Sequence, residues 1–448
     1  MWQQAEQRLT ARLAAARPCR RSGRLSAIRG MVLEASGLDV RLGELVDIHP
    51  VQGGAVLPAE VVGLHGEHAL LMPYGPVDGL SLASEVLARG EAWRVPVGAG
   101  LLGRVLDATC QPLDDRPLPD DLQPMPRLVA PINPLHRAPI DQTLVTGVKA
   151  VDLFMPLGRG QRMGIFAGSG VGKSTLLGMM SQHTEAEVIV IALIGERGRE
   201  VGDFIRDSLG AEGLKKAVVI AAAAEQPAVL RRQAAYTATT IAEWFRAQGK
   251  QVLLIMDSVT RFALAQREIG LATGEPMGSR GYPPSVLALL PPLMERAGNL
   301  QGQGSITGVY TVLVEGDDMN EPVADHMRAI LDGHIVLDRS IAARGQWPAI
   351  DVLNSISRLA GALRGKEQKQ AIERVRSAMG VYRNSETLIE LGAYEKGSQR
   401  LIDLMIELKP ELDALLAQAP DEHCAAEKTW QQLYRLAQQL NRGASHAG

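Results

Sequence analysis

The octet Ala167-Gly168-Ser169-Gly170-Val171-Gly172-Lys173-Ser174 decides the fold of this chain. It follows a hydrophobic, strand-like run at residues 163–166 and precedes a helical run that begins at Thr175. A phosphate chain needs inward-facing backbone N–H groups, a helix N-terminus, a lysine for the β/γ oxygens and a hydroxyl for Mg²⁺. The octet supplies all four, with alanine instead of glycine at its first position. It predicts a nucleotide-binding P-loop in which Thr175 continues the site, Lys173 binds phosphate and Ser174 binds Mg²⁺.

A second hydrophobic run, residues 252–256, ends in the carboxylate of Asp257. A P-loop enzyme needs a carboxylate at the end of a neighbouring strand to hold the water shell of Mg²⁺. An Asp in this place can instead be a turn or helix N-cap residue. Because a P-loop is present, we expect Asp257 to be the second metal residue.

A third hydrophobic run, Val188–Ile194, is followed by Gly195-Glu196-Arg197-Gly198-Arg199-Glu200. Hydrolysis needs a carboxylate that orients a water molecule, and clefts of α/β proteins lie at the carboxyl ends of the strands. Glu196 follows the strand most closely and is the predicted base. Glu200 is the alternative, or a solvated helix charge that pairs with Arg197 or Arg199.

The composition excludes several classes of protein. The 448 residues are 46% hydrophobic and 22% charged, which is typical of a soluble globular protein. With a net charge of −3, the chain lacks the overall positive charge that binds nucleic acid by releasing its counterions. Three scattered cysteines, Cys19, Cys110 and Cys424, predict neither a disulfide framework nor a zinc site. No apolar run approaches the roughly 20 residues of a membrane span. Arginines interrupt any hydrophobic leader, so we expect a cytoplasmic protein.

The pattern along the chain predicts four segments. Residues 1–22 form a basic amphipathic helix that could dock on an acidic partner or an anionic lipid surface, or remain a solvated terminus. Residues 23–96 have the short, glycine-punctuated runs of a small all-β unit. In residues 97–358, a proline-rich connection leads to strands that alternate with helices, which is typical of a parallel α/β sheet. Residues 359–448 show helical periodicity alone.

These motifs together resemble the catalytic β subunit of ATP synthase and its relatives. Four further stretches are similar to the protein-export ATPases of the bacterial flagellum and the injectisome: Gly158-Arg159-Gly160-Gln161-Arg162-Met163-Gly164, Asp257-Ser258-Val259-Thr260-Arg261, Gly281-Tyr282-Pro283-Pro284-Ser285 and Ile330-Leu331-Asp332-Gly333-His334-Ile335-Val336-Leu337. The resemblance implies an N-terminal β-barrel, a central RecA-like P-loop domain, a C-terminal helical domain and a homohexameric ring.

The resemblance also assigns site residues. It implies that Glu196 is catalytic, together with Lys173 and with Arg197 of the same motif. It places an arginine finger, supplied by the neighbouring subunit, at Arg358, and an adenine contact at Tyr394. Two departures from the family pattern, at residues 346–348 and 399–400, are not expected to touch a phosphate-handling residue.

The implied function is Mg²⁺-dependent ATP hydrolysis that energises export of flagellar proteins through a type III apparatus, by chaperone release and substrate unfolding. The implied partners are a stator-like negative regulator at the N-terminal helix, a central stalk protein, the export gate, and export chaperones with their substrates. No nucleic acid is expected, and the protein would work at the inner-membrane face. The alternatives are an injectisome ATPase, a non-catalytic rotary-type subunit, which the presence of Glu196 disfavours, and an RNA translocase, which the 4% aromatic content disfavours.

Overall fold

A computed structural model describes residues 21–314, 316 and 318–444. The predicted N-terminal helix therefore lies outside the described residues, except that Ser22 already begins the first strand. The strands are β1 (Ser22–Arg29), β2 (Val32–Ser36), β3 (Glu44–His49), β4 (Leu57–His65), β5 (His68–Pro73), β6 (Glu85–Ala92), β7 (Arg94–Val97), β8 (Arg104–Asp107), β9 (Gln123–Pro126), β10 (Thr143–Leu144), β11 (Leu157–Gly158), β12 (Arg162–Ala167), β13 (Val188–Ile194), β14 (Ala217–Ala222), β15 (Gln251–Asp257), β16 (Gly298–Asn299), β17 (Ser305–Leu313), β18 (Gly333–Leu337) and β19 (Ile356–Ser357).

The α-helices are α1 (Lys149–Phe154), α2 (Lys173–His183), α3 (Gly198–Asp203), α4 (Gly210–Lys215), α5 (Ala228–Ala247), α6 (Val259–Ala272), α7 (Pro284–Met294), α8 (Pro322–Ile330), α9 (Arg339–Ala343), α10 (Ala360–Leu363), α11 (Lys366–Glu390), α12 (Arg400–Leu416) and α13 (Ala426–Ala444). A π-helical turn, Phe204–Leu209, joins α3 to α4. Among the described residues, no helix is both long and apolar enough to cross a membrane.

The first six strands form a closed antiparallel barrel in the order β1-β2-β5-β4-β3-β6. Alternate side chains point inward, and Leu33, Ile48 and Leu71 are fully buried in its core. Gly30 and Gly66 turn the chain between paired strands with φ near +60°, a conformation that favours glycine. Closure leaves the barrel without an open sheet edge.

The central element is a nine-stranded sheet with the order β19-β18-β12-β17-β15-β13-β14-β8, and β16 pairs with β17 beside this path. All its pairings are parallel except those of β16 and β19. Every residue of β13 is buried, because helices cover both faces of a parallel sheet. The predicted fold class, a P-loop α/β core with an N-terminal β-barrel and a C-terminal helical region, is confirmed.

The helices after residue 359 pack on the P-loop unit. α11, α12 and α13 contact one another, and both α12 and α13 contact α1. Leu412 and Leu436 belong to the same hydrophobic core as Leu176 of α2 and Ile165 of β12. The helical region and the sheet therefore form one compact unit, and the barrel belongs to another.

Candidate active site

The P-loop connects the carboxyl end of β12 to the start of α2. Gly170 has a φ of 77° and Gly172 a φ of 85°, backbone conformations that L-residues with a Cβ rarely adopt. Gly172 is the N-cap of α2, and its carbonyl oxygen accepts the first helical hydrogen bond, from Leu176 N at 3.0 Å. Ser169 and Gly170 are exposed at the tip of the loop. The loop and the N-terminus of an eleven-residue helix thus present backbone N–H groups to a phosphate chain.

Lys173 joins two carboxylates at this loop. Its Nζ lies 2.5 Å from Asp257 Oδ1 and 3.3 Å from Glu196 Oε1. Burial opposes the charged ammonium, but the two carboxylates outweigh it, and the pKa of Lys173 is raised. The structure therefore brings together three residues that the sequence predicted from three separate motifs.

The sheet explains how Asp257 and Glu196 meet. β13 and β15 are parallel neighbours in which Leu193 pairs with Asp257, so Glu196 emerges just beyond the end of β15. β17 lies between β15 and β12, so the strand of Asp257 is not the direct neighbour of the P-loop strand, contrary to expectation. Thr311 of β17 compensates, because its hydroxyl donates to Asp257 Oδ1 at 2.7 Å and holds the carboxylate in place.

Glu196 differs from Glu200 in its environment. Burial raises the pKa of Glu196; Lys173 opposes this, whereas Asp257 and a hydrogen bond with Glu200 raise it further. The side chain of Glu196 is 17% exposed and that of Glu200 is 50% exposed. Arg197 points into solvent and lies 3.7 Å from Glu200. Of these three residues, Glu196 alone contacts the P-loop lysine within the described chain.

The residues predicted to hold Mg²⁺ fit that ion. Asp257 is a carboxylate only 2% exposed, and both its hydrogen bonds within the described residues are made by Oδ1. Ser174 presents an exposed hydroxyl in the first turn of α2. A carboxylate that contacts the P-loop lysine and a hydroxyl on the residue after that lysine are oxygen donors of the kind that Mg²⁺ takes with a nucleotide phosphate.

Trp347 lies beside the P-loop, a position that the sequence did not reveal. It is 43% exposed, and a Cβ built on Gly172 would lie 2.8 Å from its indole Cζ3. The indole therefore lies against the P-loop, so the expectation that the departure at residues 346–348 touches no phosphate-handling residue is wrong. The Trp347 carbonyl oxygen accepts a hydrogen bond from Gln418 N at 2.9 Å, which links the helical region to this edge of the site.

Tyr394 lies in the loop between α11 and α12. Its hydroxyl is 3.0 Å from both the Asp403 carboxylate and the Gln399 carbonyl oxygen. These contacts are local to the loop and the start of α12. An adenine contact at Tyr394 stays a prediction.

Arg358 lies at the amino-terminal end of the parallel strands, whereas its own P-loop lies at their carboxyl end. Arg358 N donates to Asp332 O, and Asp332 N donates to Arg162 O, each at 2.9 Å, so Arg358 is level with the first residue of β12. The P-loop follows the last residue of that strand, Ala167, about 17 Å further along at about 3.3 Å per residue. An arginine side chain does not span this distance. The guanidinium is exposed and donates to Arg328 O at 3.1 Å.

Three family models match successive parts of the chain. The β-barrel domain of the ATP synthase alpha/beta family matches residues 25–90, and the nucleotide-binding domain of that family matches residues 147–357. The C-terminal domain of the type III secretion ATPase EscN matches residues 365–435. The three matches follow the barrel, the sheet and the helical region in order.

Curated relatives are similar along nearly the whole chain. The flagellum-specific ATP synthase of Bacillus subtilis (strain 168) is 50% identical over 411 residues, which are 92% of this chain and 94% of the relative. The type 3 secretion system ATPase of Xanthomonas euvesicatoria is 47% identical over 411 residues, 92% of each chain.

Solved structures are similar as well. The assembled ATPase EscN of the enteropathogenic E. coli type III secretion system superimposes with a TM-score of 0.88 and 41% identity, covering 93% of this chain and all of that one. EscN in complex with its central stalk EscO gives a TM-score of 0.85 and 40% identity, with the same coverage.

Proposed function

We propose a specific role on the premise that this chain belongs to the ATP synthase alpha/beta family, in the branch of the flagellum-specific and type III secretion ATPases. Membership confirms the predicted resemblance and the predicted enzyme class, a P-loop ATPase. Within that class, the role we propose is to energise the export of flagellar proteins through a type III apparatus, by releasing chaperones and helping to unfold substrates. The observation that carries the ATPase activity is the contact of Lys173 with both Glu196 and Asp257 at the P-loop, and the similarity to flagellum-specific relatives supports the flagellar role.

The charges of this cluster suit a nucleotide triphosphate. The raised pKa of Lys173 keeps its ammonium charged, ready to exchange its carboxylate partners for β- and γ-phosphate oxygens. Ser174 and Asp257 would hold Mg²⁺, which supplies charge neutralisation at the phosphates when it is bound. Once Lys173 turns to the phosphates, Glu196 is released from its ion pair and faces the same space.

Glu196 is the proposed base that orients the attacking water. Burial and the neighbouring Asp257 raise the pKa of its carboxyl group, which strengthens it as a proton acceptor. Glu200, next to it, contributes to this shift through its hydrogen bond with Glu196. The side chain of Arg197 is exposed, so it would bind only a negatively charged group that enters from outside this cleft.

The geometry of Arg358 favours a ring with shared sites. Arg358 lies about 17 Å along β12 from the P-loop, at about 3.3 Å per residue, so it can serve phosphate only in another subunit. We propose a homohexamer in which each Arg358 completes the site of its neighbour. The assembled state of EscN, a relative of similar fold, supports assembly.

The exposed indole of Trp347 is the proposed stacking surface for the adenine base. It lies beside Gly172, where the phosphates would be held, and offers an open aromatic face. Tyr394 is the second residue that we propose to contact the adenine base, and only the family resemblance supports this.

We propose the partners that the family resemblance implies. They are a central stalk protein, supported by the complex of EscN with its stalk EscO, the export gate, and export chaperones with their substrates. A stator-like negative regulator would dock on the arginine-rich N-terminal segment, which could also meet an anionic lipid surface. The enzyme would then work in the cytoplasm at the inner-membrane face of the export apparatus.

A deletion strain tests the biological role. Loss of flagellar filaments and of swimming, restored by the wild-type chain and not by Lys173→Ala, is the expected result. Normal swimming in the deletion strain, with loss of an injectisome activity, would assign the chain to a virulence apparatus instead.

A further inference from the structure

Arg358 directly follows the short strand β19. β19 has only two residues, pairs antiparallel with the start of β18, and lies at the end of the sheet. It approaches so closely that a Cβ on Gly333 would lie 2.5 Å from the Ile356 carbonyl oxygen. A strand this short does not hold a neighbouring arginine by its own ladder, so other groups must fix Arg358.

Gln161 supplies one of these groups. Its side chain is fully buried. Its Oε1 accepts from Gly158 N at 2.8 Å, and its Nε2 donates to Ser357 Oγ at 3.0 Å, with the Asp332 carbonyl oxygen at 3.4 Å. Ser357 immediately precedes Arg358, and its hydroxyl donates in turn to Pro156 O at 2.9 Å. One buried amide thus ties the end of β19 to the loop before β12.

Arg162 supplies a second tie. Its guanidinium binds both oxygens of Asp332, at 3.0 and 3.1 Å, and its backbone N–H donates to the same carboxylate at 3.0 Å. It also pairs with Glu295. Asp332 O in turn accepts from Arg358 N. Gln161 and Arg162 are adjacent in the Gly158–Gly164 motif, whose role the nucleotide site does not explain.

We propose that Gln161 is a positioning residue for Arg358: it acts on the phosphate site of the neighbouring subunit and not on that of its own chain. The proposal rests on the proposed function, because it requires Arg358 to serve in trans. Its physical basis is that an arginine acts on transferring phosphate only in a narrow geometry, and a displacement of about 1 Å can reduce turnover about 10²-fold. In a Gln161 variant the P-loop of the same chain stays intact, since that loop lies at the other end of β12.

The test variant is Gln161→Met, which keeps the length of the side chain and removes its hydrogen bonds. Ser357→Ala removes the hydrogen bond between Gln161 and Ser357 by deleting its acceptor. It replaces Gln161→Met as the test variant if Gln161→Met folds poorly. The matched control is Gln251→Met, because Gln251 also binds a serine, Ser305, and also lies at the amino-terminal end of the strands, but on the central strand β15. We expect kcat to fall about 10-fold or more in the first two variants, with KM for ATP within about threefold of wild type, and little change in the control.

Mixed assembly then identifies which half of the site is damaged. Lys173→Ala has no working P-loop but an intact Arg358, so mixing it with Gln161→Met before assembly should restore activity above the mean of the two. At a 1:1 ratio, about a quarter of the sites in random rings would combine an intact P-loop with an intact arginine. Mixing Gln161→Met with Arg358→Ala should restore nothing, because no subunit then supplies a well-placed arginine.

Each outcome decides between the proposals. If Arg358→Ala gains activity with Lys173→Ala but Gln161→Met does not, the positioning role is wrong while the shared site stands. A wild-type kcat in Gln161→Met, or a gain on mixing it with Arg358→Ala, would also overturn the positioning role. If Arg358→Ala itself gains nothing with Lys173→Ala, the arginine does not serve in trans, and both proposals fall.

Discussion

Replacing Glu196 by glutamine separates binding from hydrolysis. The change keeps the shape of the side chain and removes a carboxylate that is repelled by Asp257 and held in a largely buried position. The neutral amide therefore relieves unfavourable burial of charge, so we expect no fall in thermal stability, although one ion pair with Lys173, at 3.3 Å, is lost.

The expected loss is in turnover. A positioned general base typically contributes about 10²- to 10⁴-fold, which corresponds to about 3–5 kcal/mol of transition-state stabilisation. We expect Glu196→Gln to reduce kcat by about 10³-fold, while nucleotide affinity stays within about threefold, because Lys173 and the P-loop still bind phosphate.

The assay pairs phosphate release with equilibrium nucleotide binding, both measured on assembled protein. Glu200→Gln is the comparison variant, since Glu200 is half-exposed and has no contact with Lys173 but hydrogen-bonds Glu196; its kcat should fall much less than that of Glu196→Gln. Full turnover in Glu196→Gln would refute the assignment of the base. An equal loss in both variants would mean that the pair of carboxylates acts as one unit.

Substitutions at Trp347 and Asp114 test the proposed adenine-binding surface and the stability of the fold. Trp347→Ala should raise KM for ATP about 10-fold with a smaller effect on kcat, whereas Trp347→Phe should restore most of the affinity; equal loss in both would exclude stacking. Asp114 binds Arg104 through both carboxylate oxygens, at 2.8 and 2.9 Å. The guanidinium of Arg104 lowers the pKa of Asp114 well below its usual range, although burial opposes this. The carboxylate therefore stabilises the fold above pH 4, and this contribution is lost as the pH falls through the lowered pKa. Asp114→Asn should lower the free energy of unfolding by about 3 kcal/mol at pH 7, and the gap from wild type should narrow below pH 4; a gap that does not change with pH would contradict the ion pair.

Local patterns were enough to predict the elements that bind phosphate. Gly170 and Gly172 have backbone conformations that other residues rarely adopt, so the P-loop could be predicted from the sequence alone. Hydrophobic runs ending at Asp257 and just before Glu196 likewise predicted two buried strands, β15 and β13, and the carboxylates that follow from them.

The order of the strands could not be predicted, because it depends on pairing between strands that are far apart in the sequence. The insertion of β17 between β12 and β15 could not be predicted from residues 305–313, which read as one more buried strand. The same limit concealed Trp347, whose contact with Gly172 joins positions 175 residues apart in the chain. Gln161 was visible only as part of a motif, since its role depends on a bond to Ser357.

We propose that the active site is shared between subunits, and Mg²⁺-ATPase activity per mole of protein, measured as a function of protein concentration, tests this claim most directly. An arginine supplied in trans makes turnover depend on assembly, so specific activity should rise with concentration and fall about 10³-fold in Arg358→Ala at every concentration. Undiminished specific activity in protein shown to be monomeric would contradict the claim, because the site would then be complete within one chain.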